Sequence, residues 1–410
     1  MKTTVTAVDF GTSKVVTLIA APRETGINDC DVIGVGTAKY DGYINGQWIA
    51  PEELPRIIDE SISAAQKQAG GKQKINEVYV GVPGEFSEIR VFNVRLDIQG
   101  ADPRITSEHI DEIFRIAEEN FNAAAAREAD PSNQLVKNVV VHRSPAWFII
   151  DGEKKTLEPV GLKGREISAM VCFVTTSLVF TNHMNYVFNQ LNLKVVGYYS
   201  SLMGQTRLYI PESERDNVAV LVDVGYLGTD LVICEGDAIV FQERIPIGGG
   251  HISVALASGL NVPMNDQLEE LKRRYQFAML ADQPIQYQMQ SADSSHVERY
   301  TQERLDSMVQ PVVNELCDKI KAAISASGCN ITPENKMYLT GGGLVKNKGA
   351  KEYMQSRLER SVVELPYVTI NMTEPYFSSS MGLIDIIIAD GKQSAQDKGV
   401  GGFFKRLFSI

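Results

Sequence analysis

A chain of 410 residues with 44% hydrophobic and 22% charged side chains has room for two or more domains and an ordinary soluble composition. Its net charge of −11, a pI of about 5.1 and the lack of a basic stripe with interleaved aromatics argue against a nucleic-acid partner. The five cysteines are odd in number and lack metal-ligand spacing, which reads as reduced core thiols; no apolar run reaches a bilayer span and the N-terminal pattern is that of a strand, so a cytoplasmic protein is expected.

Residues 1–20 predict a hairpin, with an apolar strand ending at Phe10, a turn at Gly11 and a return strand over 14–21. A third strand is expected over 31–39. The spacing of Leu54, Ile57, Ile58, Ile62 and Ala65 predicts a helix over 51–69, and 77–82 is an apolar strand closed by Pro83-Gly84. From residue 85 the texture changes. Strands at 89–98, 138–142, 146–151 and 166–175, with a helix opening near Thr106, predict a compact α+β insertion. A helix at 179–191, a strand at 194–199 and a helix to 209 follow. A second hairpin, 218–222 with 229–235, then pairs with 238–247. Helices dominate the reading of 246–334, the longest over 300–327. A strand at 336–340, a helix at 347–359, a strand at 362–365 and a buried helix at 378–389 complete the core. The second half repeats the order of the first: hairpin, strand, helix, strand.

Three glycine turns carry the chemistry: Asp9-Phe10-Gly11-Thr12-Ser13-Lys14, the run from Asp223 through Gly225 and Gly228 to Thr229 and Asp230, and Gly341-Gly342-Gly343. Glycine lets backbone N–H groups approach phosphate oxygens with no Cβ in the way. Thr12, Ser13, Thr229 and Lys14 add donors for a polyanion. An aspartate cannot bind phosphate directly, but it holds the water shell of a Mg²⁺ that does. That assigns Asp9 and Asp223 to Mg²⁺ through water. Gly248-Gly249-Gly250 is a further tight turn at the start of a helix. Any one of these turns alone reads as a plain tight turn between elements. In this order they suggest two similar halves facing one nucleotide.

These residues resemble the actin-like ATPase superfamily, and within it the FtsA family of bacterial cell-division proteins. The first two turns look like its phosphate loops and Leu339-Thr340-Gly341-Gly342-Gly343 like its adenosine motif. The 85–176 insertion lies where FtsA carries its 1C subdomain, and Glu158 to Arg165 resembles a turn within it. Leu268-Glu269-Glu270-Leu271-Lys272 resembles the helix that contacts the adenosine, which promotes Glu269 and Lys272 from a surface ion pair to ribose contacts. The resemblance implies an α/β, duplicated actin-like fold with two halves around a nucleotide cleft that holds ATP and Mg²⁺. Subdomain 1A would take 1–84 with 177–205 and 371–390, 1C 85–176, 2A 206–245 with 335–370, and 2B 246–334. It also implies self-assembly into an actin-like filament and a place on the inner face of the cell membrane at the division site. The FtsZ C-terminal peptide is implied as a partner at 246–334, with Arg304 and Glu315 as nominees. The chain departs from the family at Tyr226 and Leu227, which replace glycines. Gly228 stands where the family has Thr, and Ser253-Val254-Ala255 lacks a carboxylate. Pro311-Val312-Val313-Asn314-Glu315 lacks an arginine.

No residue set forms a hydrolytic base; Glu85 is as readily a surface side chain, so slow or absent ATP hydrolysis is expected. Residues 391–402 read as a flexible polar linker. Beyond it, Phe403, Phe404, Leu407, Phe408 and Ile410 share one helical face opposite Lys405 and Arg406, the pattern of an in-plane membrane helix on an anionic surface. Partial burial of five apolar side chains supplies ~5 kcal/mol after ordering costs. A PilM-like assembly scaffold and a small-molecule kinase of the same superfamily are the alternatives. The amphipathic tip separates them from the leading reading.

Overall fold

The computed structural model describes residues 4–23, 30–71, 74–128, 138–277, 285–290, 296–365 and 374–396. The chain divides into two compact units. The first takes the residues up to Val218, Ile233–Gln242 and those from Ser379 on; the second takes Ala219–Val232 and Glu243–Ser378.

The first hairpin forms as the alternation predicts, with β1 (Val5–Phe10) and β2 (Lys14–Pro22), followed by β3 (Cys30–Lys39). A small ribbon, β4 (Tyr43–Ile44) and β5 (Gln47–Trp48), leads to α1 (Leu54–Gln68) and β6 (Glu77–Val82). Next come β7 (Ser87–Asp97), α2 (Ser107–Glu128), β8 (Asn138–Ile150), β9 (Lys154–Thr156) and β10 (Glu166–Ser177). The chain then runs through α3 (Leu178–Gln190), β11 (Lys194–Ser200), α4 (Ser201–Tyr209) and α5 (Glu212–Arg215).

The later half contains β12 (Ala219–Val224), β13 (Thr229–Glu235), β14 (Ala238–Ile245), α6 (Gly249–Leu260) and α7 (Asp266–Arg274). A ribbon of β15 (Gln286–Gln290) and β16 (Val297–Thr301) precedes α8 (Gln302–Ala326). The order ends with β17 (Met337–Thr340), α9 (Ala350–Leu358), β18 (Val362–Glu364) and α10 (Ser378–Gln396).

Two five-stranded sheets have the same order: β3-β2-β1-β6-β11 and β14-β13-β12-β17-β18. In the first, β1 pairs antiparallel with β2 and parallel with β6, and β6 pairs parallel with β11. In the second, β12 and β17 are parallel, as are β17 and β18. The repeat expected from pattern is therefore a repeat of topology. Between β6 and β11 sits a separate four-stranded antiparallel sheet, β7-β10-β8-β9, with its own core. Ile110, Ile113, Phe114, Ala117 and Phe121 of α2 pack there with Phe148, Ile167 and Phe173.

Three expectations change. The strands expected at 138–142 and 146–151 are one strand, β8. Its register against β10 skips Ala146, next to Pro145, so the missing proline N–H is accommodated by a bulge. The mostly helical reading of 246–334 misses the β15–β16 ribbon, although Gln286–Gln290 alternates exposed and buried residues. The linker expected over 391–402 begins as helix, because α10 continues to Gln396; 397–402 lie outside the described residues. None of the five cysteines is in a disulfide; Cys172, Cys234 and Cys317 are buried, and Cys30 and Cys329 are only half-buried.

The first unit depends on close seating of α1 on β3. Leu54, Ile57, Ile58, Ile62 and Ala65 are buried as the spacing requires, and so is Ser61. The Ser61 hydroxyl lies 2.8 Å from that of Thr17 and donates to the Gly36 carbonyl at 3.2 Å. A Cβ on Gly36 would stand 1.9 Å from the Ser61 carbonyl oxygen, and one on Gly34 2.4 Å from that of Ala65. Gly36→Val should therefore destabilise the unit by about 2–4 kcal/mol, at or beyond the upper range of overpacking. Both tryptophans, Trp48 and Trp147, lie in this unit, so fluorescence-detected denaturant unfolding reads it directly. The midpoint should fall clearly; an unchanged midpoint would contradict this packing account.

Candidate functional site

In the first unit the site begins with Asp9, near the end of the central strand β1. Its side chain is buried, at 5% exposure. The Ser201 hydroxyl donates to its Oδ1 at 2.8 Å. Burial raises the carboxyl above its ordinary pKa, opposed by hydrogen bonds from Ser379, Ser201 and the Phe10 backbone. Ser201 is the first residue of α4, and Ser200 caps that helix by accepting the Met203 N–H. Ser379 comes from the start of α10. The two helices meet at Gly204 and Gly382, where a Cβ on either would lie 2.4 Å from the other's backbone. A Cβ on Gly81 of β6 would sit 2.9 Å from both Asp9 Oδ1 and Ser201 Oγ. Three glycines, Gly81, Gly204 and Gly382, thus make the space in which Asp9 is held.

The turn after Asp9 is closed by Gly11 N–H donating to the Lys14 carbonyl at 2.9 Å. Thr12 is buried, while Ser13 and Lys14 are half-buried. Gly42, at φ +82°, lies on Thr12, since a Cβ there would come within 2.5 Å of the Thr12 carbonyl oxygen. Tyr40 N–H donates to the Ser13 carbonyl, and Tyr43 OH to that of Phe10. Trp48 stacks on Phe86 at 5.0 Å. Segment 40–48 therefore packs over the turn as a cover. Glu85 accepts the Gly46 N–H at 2.8 Å, so its carboxylate straps the β4–β5 ribbon.

In the second unit the turns at 225–228, 248–250 and 341–343 converge. Gly343 N–H donates to the Val224 carbonyl, Gly249 N–H to that of Gly225 and Gly250 N–H to that of Tyr226, at 2.7–2.9 Å. Gly225 N–H closes its own loop on the Gly228 carbonyl. Asp223 is half-buried at the end of β12. Gly341, at φ +99°, approaches it so closely that a Cβ would lie 2.4 Å from Asp223 Oδ1. Cβ atoms on Gly248, Gly249 or Gly343 would meet backbone atoms of the other turns at 2.6 Å or less. Gly342 is exposed. Gly228 is covered by the Arg244 guanidinium, which pairs with Asp230 at 2.7 Å. The Thr229 hydroxyl, expected as a ligand donor, is buried and donates to the Ile247 carbonyl at 2.7 Å.

Glu269 and Lys272 do pair, at 2.6 Å, but not on the surface: Lys272 is 5% exposed. Burial lowers the Lys272 pKa, opposed by Glu269. Ser253 and Tyr226, two departures from the family pattern, both hydrogen-bond Glu269. Sequence reasoning missed Ser201, Ser379, Gly81 and Gly42. Only Ser201, opening a helix after an apolar strand, carried a readable signal.

Arg304 and Glu315 are exposed on α8, eleven residues apart and so on one face, about 16 Å along the axis. Arg304 donates to the Gly259 carbonyl at 2.8 Å, and Glu315 faces Lys319 at 3.9 Å. Phe403, Phe404, Lys405, Arg406, Leu407 and Phe408 lie outside the described residues. Among the described residues no helix is long and apolar enough to cross a membrane. None of them form a group of three or more His, Cys, Asp or Glu that could hold a metal directly.

No family model matches the chain. Its sequence is 26% identical over 387 residues to the cell division protein FtsA of Pseudomonas aeruginosa, covering 93% of this chain and 88% of that protein. It is 19% identical to FtsA of Bacillus subtilis over 380 residues, covering 92% and 82%. Among solved structures it is similar to the PilM–PilN type IV pilus biogenesis complex, with a TM-score of 0.61 at 16% identity over 94% of this chain and 98% of that one. MreB5 of Spiroplasma citri bound to AMPPNP gives 0.54 at 10% identity over 98% and 100%. The chain is an actin-like protein by fold, and bacterial cell-division FtsA proteins are its relatives along nine-tenths of its length.

Proposed function

We propose that this protein binds ATP with Mg²⁺, polymerises, and tethers FtsZ filaments to the cytoplasmic membrane through its C-terminal tip. The observation that carries the nucleotide part is the repeat itself. Two sheets of the same strand order each have an aspartate as the next-to-last residue of the central strand, followed by a glycine turn. The residues suit the ligand. Asp9 and Asp223 are acceptors for metal-bound water, and the Gly11–Lys14 turn and exposed Gly342 are donor surfaces. Mg²⁺ would supply charge neutralisation of the phosphates. Thr229 and Lys272 have their donors turned inward, which supports weak discrimination between ATP and ADP and little or no hydrolysis.

The relatives' names support the cell-division role, and the tip's split into aromatic and basic faces supports the membrane contact. Two lysine or arginine charges add about 1 kcal/mol each on an anionic leaflet, so one tip is a weak anchor and a polymer of tips a strong one. We assign 85–176 to subdomain 1C and 246–334 to 2B, the latter receiving the FtsZ peptide near Arg304. A PilM-like scaffold is the second reading, supported by the structural likeness alone.

Asp9→Ala should abolish or greatly weaken ATP binding measured by calorimetry with Mg²⁺. Equal affinity for wild type and variant would remove Asp9 from the site. Phe404→Glu with Leu407→Glu should release the protein from anionic vesicles in a flotation assay while ATP binding persists. The membrane assignment fails if the double variant floats as wild type does. Arg304→Glu should weaken binding of the FtsZ C-terminal peptide several-fold by fluorescence anisotropy. An unchanged affinity, or no binding to either protein, would favour the scaffold reading.

A further inference from the structure

The second unit contains a polar knot in which every member is satisfied. The Lys272 ammonium has three N–H donors and three partners: Glu269 Oε2 at 2.6 Å, Ser253 Oγ at 2.9 Å and the Gly249 carbonyl at 3.1 Å. Glu269 Oε1 accepts from the Ser253 hydroxyl at 2.5 Å and from the Tyr226 hydroxyl at 3.2 Å. The ammonium also lies 5.1 Å from the centre of the Tyr226 ring. Loop 225–228, the first turn of α6 and one face of α7 are tied together by this knot.

The members are not equally fixed. Ser253 is fully buried, Lys272 nearly so, and both sit on helices. Tyr226 is half-buried and comes from the loop, and its bond to Glu269 is the longest of the set. Removing Lys272 or Ser253 would strand a buried charge or donor. Removing the Tyr226 hydroxyl leaves Glu269 still paired with Lys272 and Ser253. The phenol is therefore the replaceable donor on Glu269 Oε1. A carboxylate oxygen that accepts from one hydroxyl accepts from another, and a carboxylate hydrogen-bonding a ribose hydroxyl is a common way to hold a nucleoside.

We propose that Tyr226 is a latch on the nucleoside end of the site, whose hydroxyl competes with a ribose hydroxyl for Glu269 Oε1. This rests on the ATP reading above. The latch makes this chain bind nucleotide more weakly than its glycine turns alone would allow, and it joins nucleotide binding to movement of the 225–228 loop, which carries the backbone of the second turn. A hydrogen bond to a charged group is strong enough that its loss as a competitor is worth roughly tenfold in affinity.

The test uses the full chain, Tyr226→Phe, and two ligands with Mg²⁺: ATP and 2′,3′-dideoxy-ATP. Calorimetry should show Tyr226→Phe binding ATP roughly tenfold more tightly than wild type. The dideoxy ligand, with no hydroxyl to take the freed oxygen, should bind both proteins equally. A gain for both ligands would point to relief of steric bulk and overturn the competition. Weaker ATP binding by Tyr226→Phe would make the phenol a ligand contact and overturn it as well. If neither protein binds either ligand, the ATP reading itself falls, and the latch with it.

Discussion

Backbone cannot lie against backbone where a Cβ intervenes, and the second unit is arranged around three places where none does. The turns at 225–228, 248–250 and 341–343 touch through their main chains. At Gly248, Gly249 and Gly343 any side chain would overlap a neighbouring carbonyl, and at Gly341 it would also overlap the Asp223 carboxylate. The consequence is twofold. The turns fix one another's positions, so β12, β17 and α6 deliver their ends to one spot. They also use the N–H groups of Gly225, Gly249, Gly250 and Gly343 in doing so, and Gly342 is the exposed glycine of its turn. Glycine here serves packing first and any ligand second.

The first unit solves the same problem with side chains. Asp9 is surrounded by hydroxyls from two helix starts rather than by stacked turns. Its carboxyl is pushed up by burial, and the hydrogen bonds from Ser379 and Ser201 oppose that push. The Gly204–Gly382 contact sets how closely α4 and α10 approach, and so helps place those serines. The two aspartates thus stand at equivalent points of repeated sheets in unlike surroundings, one buried under hydroxyls and one against a glycine.

Much of this was legible in the sequence, and for identifiable reasons. Strong periodicity located α1, β6 and both hairpins to within a few residues, because apolar spacing reports burial directly. The repeat of topology was readable since both halves repeat the same order of patterns. The β15–β16 ribbon was not read, because both strands are short and polar and carry only two buried side chains, Tyr287 and Met289. The single strand β8 was split by Pro145, where a bulge keeps the strand continuous. Since their three-residue spacing alone reads as a surface ion pair, Glu269 and Lys272 were picked out by the family resemblance of 268–272. Their burial was not, since it depends on Tyr226 and Ser253 from other elements. Ser379 and Gly81 reach Asp9 across long chain separations, which no local pattern encodes.

The central proposal is that the glycine turns of each unit serve ATP. Amide hydrogen exchange on the full chain, with and without ATP and Mg²⁺, tests it most directly. The proposal predicts that ATP with Mg²⁺ slows exchange at 10–14 in the first unit and at 341–343 in the second. Protection confined to one of these turns, or absent from both at saturating ATP, would contradict it.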